Sequence, residues 1–124
     1  MSFSIVTHRI RLNQADAHYG GNLVDGARIL QLFGDVATEL CILSDRDEGL
    51  LRAYETLEFL APVYAGDFIE VKGEMIQKGK RSRRMKLEAY KVIEASRDPM
   101  HPNAAKPLDP PLLVVKAEAV CVVP

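Results

Sequence analysis

The chain has 124 residues, 48% of which are hydrophobic, and this size and composition suit one compact domain that buries its own core. Its net charge of -1 gives no overall basic character of the kind that binds nucleic acid. No apolar run approaches the roughly 20 residues of a membrane-spanning helix, and the first residues lack the long apolar core of a secretory signal. We therefore expect a cytoplasmic protein with neither a nucleic-acid nor a membrane partner.

The first predicted element is a β-strand over residues 3–12, because mostly polar and mostly apolar side chains alternate there. Val6, His8, Ile10 and Leu12 share one face of this strand. We expect His8 to be an ordinary strand residue. A loop rich in Asn, Asp and Gly follows the strand.

A long helix over about residues 23–42 is the central prediction. Apolar residues recur at spacings of three and four from Leu23 to Cys41, which is the period of an α-helix. Asn22 is the predicted N-cap, and Asp25 is the predicted acid of the first turn. Apolar residues on the remaining sides make the helix apolar nearly all round, as is typical of a buried helix.

Four more strands are predicted after the helix, at about 50–60, 68–79, 82–95 and 112–123. The second and third of these are expected to form a hairpin. Residues 96–111 are rich in proline and are therefore predicted to form a surface loop. No internal repeat or second domain is evident.

These elements predict an α+β fold in one domain of residues 1–124, with an antiparallel sheet of about five strands wrapped around one long central helix. A single sheet leaves one side of that apolar helix bare, which predicts a partner subunit and most simply a two-fold homodimer. Cys41 and Cys121 lie in apolar surroundings and are predicted to be reduced thiols in the core or an interface. No metal-binding Cys or Cys/His spacing is present.

The element order resembles the hotdog fold over about residues 3–123. The motifs that carry the resemblance are the glycine loop before the helix, a helix aspartate, the stretch FLAPVYAGD at 59–67 and the hairpin turn at 79–82. They are similar to the acyl-CoA hydrolase pattern of that superfamily. Because the superfamily also includes dehydratases and binding proteins, the fold alone does not fix the function.

Two longer stretches, 16–40 and 47–70, are similar to the ammonia-lyases that act on 3-aminobutyryl-CoA and β-alanyl-CoA. The resemblance implies reversible loss of ammonia from a 3-aminoacyl-CoA, giving a 2-enoyl-CoA such as crotonyl-CoA, in anaerobic lysine fermentation. CoA is then part of the substrate, and no cofactor is expected. The resemblance to the fold also implies that hexamers built from three dimers are common.

Elimination of ammonia needs donors that stabilise negative charge on the thioester oxygen. Gly20, Gly21 and Asn22 are the predicted donors, because a glycine loop lets a carbonyl oxygen approach closely and a helix start favours negative charge. The alternative interpretation is a tight turn followed by an N-cap. His18 and Tyr19 precede these residues and are candidate catalytic groups, although a structural loop histidine is an equally plain interpretation.

The reaction also needs a base for the α-proton. Asp35 and Glu39 are four residues apart and therefore lie on one helix face. A carboxylate there suits a general base and attracts a cationic β-amine. Asp35 is the stronger candidate, since the resemblance implies a helix acid in the site. For Glu39 the alternative is a solvated edge or an ion pair, and for Asp25 it is capping.

The basic stretch at 78–84 is the remaining candidate region. In hotdog enzymes of this type the equivalent hairpin lies near the CoA phosphates, which implies phosphate contacts from Lys80, Arg81, Ser82 and Arg83. A solvated hairpin is the competing interpretation. The resemblance implies a site that crosses the dimer, with the loop from one chain and the helix acid from the other.

Three other functions use much of the same pattern. An acyl-CoA thioesterase would use the same donors, with Asp35 activating water instead of removing an α-proton. A 3-hydroxyacyl-CoA dehydratase would need an Asp/His pattern that is not evident. A non-catalytic acyl-CoA-binding module leaves the helix acids without a purpose.

Overall fold

The computed structural model describes residues 4–124, in which one α-helix packs against a five-stranded antiparallel sheet. The helix α1 spans Gly26–Asp45. The strands are β1 Ile5–Arg11, β2 Leu23–Val24, β3 Leu50–Phe59, β4 Val63–Tyr64, β5 Phe68–Lys78, β6 Ser82–Ala95 and β7 Ala105–Val122. The main sheet has the order β1-β5-β6-β7-β3, and β2 pairs with β4 in a small second sheet. The predicted α+β class and hotdog arrangement are confirmed. Residue 3 of the predicted first strand lies outside the described residues.

The core lies between α1 and the sheet. Phe33, Val36 and Leu40 of the helix are completely buried against it. Gly73 of β5 lies beneath them, and a Cβ atom at Gly73 would collide with Val36. Glycine at this position therefore allows the helix to approach the sheet closely.

The start of α1 differs from the prediction. The N-cap is Asp25, whose Oδ1 accepts a hydrogen bond from the Arg28 N–H at 3.1 Å. The prediction of Asn22 as N-cap is wrong, because Leu23 and Val24 pair with β4 instead of continuing the helix. The apolar spacing there fits a helix, but tertiary pairing overrides it.

Two further predictions are corrected. The helix is not buried all round within one chain, since Asp35 and Glu39 are exposed. The proline-rich loop is also shorter than predicted, because Ala105 already pairs with Ala95 in β6. This first part of β7 precedes its pairing with β3, so it is an edge that tolerates proline without losing a ladder hydrogen bond. Among residues 4–124, no helix is both long and apolar enough to cross a bilayer.

Candidate active site

A cleft of about 580 Å³ opens at the start of α1. Its walls are mostly apolar and come from the helix start, the segment after β3 and β7. Tyr19 and Asp25 supply the polar side chains of the lining. A mostly apolar cleft with a few convergent polar groups is the usual form of a small-molecule site.

The glycine loop forms one edge of this region. Gly20–Asn22 make a single 3-10 turn in which Gly21 and Asn22 have φ values of 69° and 63°. The turn is fixed by the Ala65 N–H, which donates to the Asn22 carbonyl at 2.9 Å. Glycine is needed at position 21 because this backbone conformation is strained for most other residues.

The predicted oxygen-binding donors therefore lie in a turn that is separate from the helix. Since α1 begins at Gly26, the first N–H groups without an intrahelical partner belong to Gly26 and Ala27. The Arg28 N–H is taken by Asp25. A helix-start oxyanion site is thus displaced along the chain from Gly20, Gly21 and Asn22, and the reason is again the β2–β4 pairing.

His18 and Tyr19 lie side by side, with ring centroids 5.2 Å apart in an edge-to-face arrangement. Tyr19 is 55% exposed and lines the apolar cleft. His18 lines a neighbouring polar cleft of about 320 Å³, together with Asp16, Asp25 and Arg28. Asp25, for which the sequence favoured a capping role, lines both clefts.

Asp35 and Glu39 lie elsewhere on the helix. The nine residues from Gly26 to Asp35 correspond to about 14 Å of helical rise. Glu39 Oε1 lies 2.9 Å from His8 Nε2, and both side chains remain partly exposed. His8 is the polar member of the inward face of β1, which is the pattern that could have identified this contact.

The basic hairpin tip lies at the other end of α1. Arg83 is 6% exposed, and its guanidinium donates to both Asp45 carboxylate oxygens at 2.8 and 2.7 Å. It also donates to the Gly79 and Ser82 carbonyl oxygens. The Arg83 hydrogen bond holds the pKa of Asp45 below its usual value. This placement gives Arg83 a structural role, while Lys80, Arg81 and Ser82 remain exposed.

The predicted site residues are thus not united within one chain. The 20 residues of α1 correspond to about 30 Å between its ends. The glycine loop lies at one end and the basic tip at the other.

The Cys41 thiol has no sign of catalytic activation. Cys41 and Cys121 are both buried and free. A hydrogen bond with Cys121, together with burial, raises the pKa of the Cys41 thiol, so it stays protonated at neutral pH. Within residues 4–124, no cluster of three or more His, Cys, Asp or Glu side chains is arranged to hold a metal ion.

No protein-family model matches the sequence. The chain is 55% identical over 116 residues to 3-aminobutyryl-CoA ammonia lyase from Acetoanaerobium sticklandii, covering 94% of this chain and 91% of that protein. The chain belongs to the CoA-thioester ammonia-lyase family. As a member of this family it is an enzyme, a carbon–nitrogen lyase.

Solved structures agree with this ammonia-lyase assignment. β-Alanyl-CoA:ammonia lyase from Clostridium propionicum is 39% identical, with a TM-score of 0.95 over 99% of this chain and 87% of that one. A variant of a hexameric broad-specificity acyl-coenzyme A thioesterase has a TM-score of 0.74 over 99% of this chain and 81% of that one, at 15% identity. The likeness to the thioesterase shows the fold alone.

Proposed function

We propose that this ammonia-lyase catalyses the reversible elimination of ammonia from 3-aminobutyryl-CoA to give crotonyl-CoA. The observation that carries the proposal is the 55% identity over 94% of the chain to the relative of that name. We further propose that the reaction serves lysine fermentation in the cytoplasm. CoA is part of the substrate, and no separate cofactor is needed for the chemistry.

The elimination moves one proton and two electron pairs. A carboxylate takes the α-proton, the Cα–H pair becomes the Cα=Cβ bond, and the Cβ–N pair leaves with nitrogen as ammonia. Negative charge builds on the thioester oxygen as the α-proton departs. Donors aimed at that oxygen stabilise the transition state by about 3 kcal/mol each.

We place the acyl part of the substrate in the cleft at the start of α1. The thioester oxygen would lie near the first N–H groups of the helix, where the dipole favours negative charge. Tyr19 and Asp25 line this cleft, and the Asp25 carboxylate would attract the β-ammonium. Asp35 and Glu39 remain the proposed proton-accepting acids, with Asp25 as the competing candidate because it lies in the cleft.

A homodimer would complete the site. The strand β3 forms one edge of the sheet and pairs only with β7 within residues 4–124. Its apolar side chains Leu50 and Leu51 are 73% and 45% exposed, which suits burial against a second copy. Antiparallel pairing of two β3 edges across a two-fold axis would place the start of one helix near the end of the other.

This arrangement would let the basic tip of one chain meet the cleft of its partner. Lys80 and Arg81 are exposed there and are suited to the CoA phosphates by charge. A hexamer of three such dimers is the proposed assembly. The hexameric state of the thioesterase with the same fold supports it.

The direct test is an assay with crotonyl-CoA and ammonium. We expect loss of the enoyl absorbance with no release of free thiol, and appearance of an amine adduct of the expected mass. Omission of ammonium is the control and should abolish the reaction. Rapid thiol release without an adduct would contradict the proposal and identify a thioesterase instead.

A further inference from the structure

A close contact between the helix start and the end of β3 forms one wall of the cleft. The Phe59 ring lies against the backbone of Gly26, the first residue of α1. A Cβ atom at Gly26 would lie 2.5 Å from Phe59 Cε1 and 2.9 Å from Cζ. Real side chains do not approach this closely, so the ring occupies space that only glycine leaves free.

The backbone that carries the Phe59 ring is held in place by β7. Phe59 pairs with Val115 in the β3–β7 ladder. The next two N–H groups, of Leu60 and Ala61, both donate to the Val114 carbonyl at 2.7 and 3.2 Å. Leu57, two residues earlier on the same strand face, packs against the core. The ring therefore projects toward the helix from a fixed backbone while remaining 54% exposed.

The chemistry of the lining divides the cleft into two parts. Tyr19 and Asp25 are its polar side chains, and Phe59, Val63 and Ile29 belong to its apolar wall. An amino group and a thioester oxygen are stabilised near polar groups, whereas an alkyl substituent on the β-carbon is stabilised against the apolar wall. The position of the Phe59 ring sets how much room that wall leaves.

We infer that the Phe59 ring, held on Gly26, is the specificity-determining wall that sets the size of the β-substituent accepted on a 3-aminoacyl-CoA. The inference rests on the proposed function. One methylene in an apolar pocket changes the ratio of kcat/KM values by about 10- to 200-fold. The position of this ring is therefore enough to discriminate a substrate with a β-methyl group from one with a β-hydrogen or a β-propyl group.

The experiment measures kcat/KM for elimination from β-alanyl-CoA, 3-aminobutyryl-CoA and 3-aminohexanoyl-CoA. Phe59→Ala should raise the 3-aminohexanoyl to 3-aminobutyryl ratio at least about tenfold, because it opens the wall. Gly26→Ala should shift the selectivity of the wild type by displacing the ring. In the Gly26→Ala/Phe59→Ala double variant the new methyl meets no ring, so its selectivity should equal that of Phe59→Ala.

Leu112→Ala is the matched control, because Leu112 is a 44% exposed apolar side chain on β7 outside the cleft. It should leave both ratios unchanged. If wild-type elimination is normal and the Phe59 and Gly26 variants keep the ratios within twofold, the inference is overturned and the proposed function stands. If the wild type eliminates ammonia from none of the three thioesters, both the inference and the proposed function are contradicted. Phe59→Leu replaces Phe59→Ala if circular dichroism shows that the latter is unfolded, with the same direction of change expected.

Discussion

The two ends of helix α1 are built in opposite ways. At its start, the cap comes from Asp25, and the surrounding side chains border an open cleft. At its end, the Asp45 carboxylate accepts hydrogen bonds from Nε and Nη2 of Arg83, whose Nη1 donates to two carbonyl oxygens of the hairpin tip. The end satisfies its polar groups within the chain and so stabilises the fold. The start instead presents the polar side chains of Tyr19 and Asp25 to the cleft, where we propose that the substrate binds.

Arg83→Leu should produce the largest effect on stability. It leaves the Asp45 carboxylate without its partner, and Asp45 is 16% exposed. We expect the free energy of unfolding to fall by about 2–3 kcal/mol, somewhat less than the about 3–5 kcal/mol for a fully buried pair. Urea denaturation at pH 7 measures this, with Asp45→Asn/Arg83→Leu as a control that should lose less. Unchanged stability with a raised KM would instead identify Arg83 as a phosphate ligand and remove the contrast between the two ends.

Substitution of the acids tests the helix start and the exposed helix face separately. Asp35→Asn should keep the fold and lower kcat at least about 100-fold, as expected for loss of the proton acceptor. Asp25→Asn should keep the helix cap, because Asn caps as well as Asp. We expect its kcat to fall about tenfold through loss of the charge that attracts the β-ammonium, or about 1.4 kcal/mol. Turnover measurements compare kcat of the two variants, and circular dichroism checks that both keep the fold. A larger fall in kcat for Asp25→Asn than for Asp35→Asn would identify Asp25, in the cleft, as the base.

The Asp45–Arg83 pair should also make the helix end sensitive to acid. The Arg83 hydrogen bond lowers the pKa of Asp45 below its ordinary value of 3.8. A lowered pKa stabilises the fold above the unfolded-state value, and this contribution is lost as the pH falls through the folded-state pKa. The stability difference between wild type and Arg83→Leu should therefore be full at pH 6 and shrink steadily below about pH 4. A constant difference across that range would contradict the assignment.

The smallest effect is expected at the His8–Glu39 pair. Its side chains are 30% and 48% exposed, and exposed pairs contribute about 0–1 kcal/mol. Glu39→Gln should therefore change the free energy of unfolding by less than about 1 kcal/mol, and high salt should reduce the difference further. Thermal denaturation with and without salt measures it. A fall in kcat with unchanged stability would support the proposed role of Glu39 in proton transfer.

The limits of sequence reasoning are clearest at the helix start. Leu23 and Val24 fit the helical spacing, so the periodicity extended the helix three residues too far. The competing partner, β4, is some 40 residues later in the chain, and no local pattern reveals that pairing. The predicted cap at Asn22 therefore placed Gly20, Gly21 and Asn22 at the helix start, whereas the structure places them in a separate turn before Asp25.

The sequence by itself determined the α+β class, because the periodicity of each element is a property of neighbouring residues, and its motifs carried the resemblance to the hotdog fold and to the ammonia-lyases. Tertiary structure alone decided which polar groups are engaged and which remain available. In the sequence, the four residues 80–83 are similar candidates for contacts with the CoA phosphates. The fold alone buries one of them, Arg83, against Asp45, which is 38 residues away. Likewise, only packing brings Phe59 onto Gly26, because contacts between distant residues depend on how the elements pack and not on their own sequence pattern.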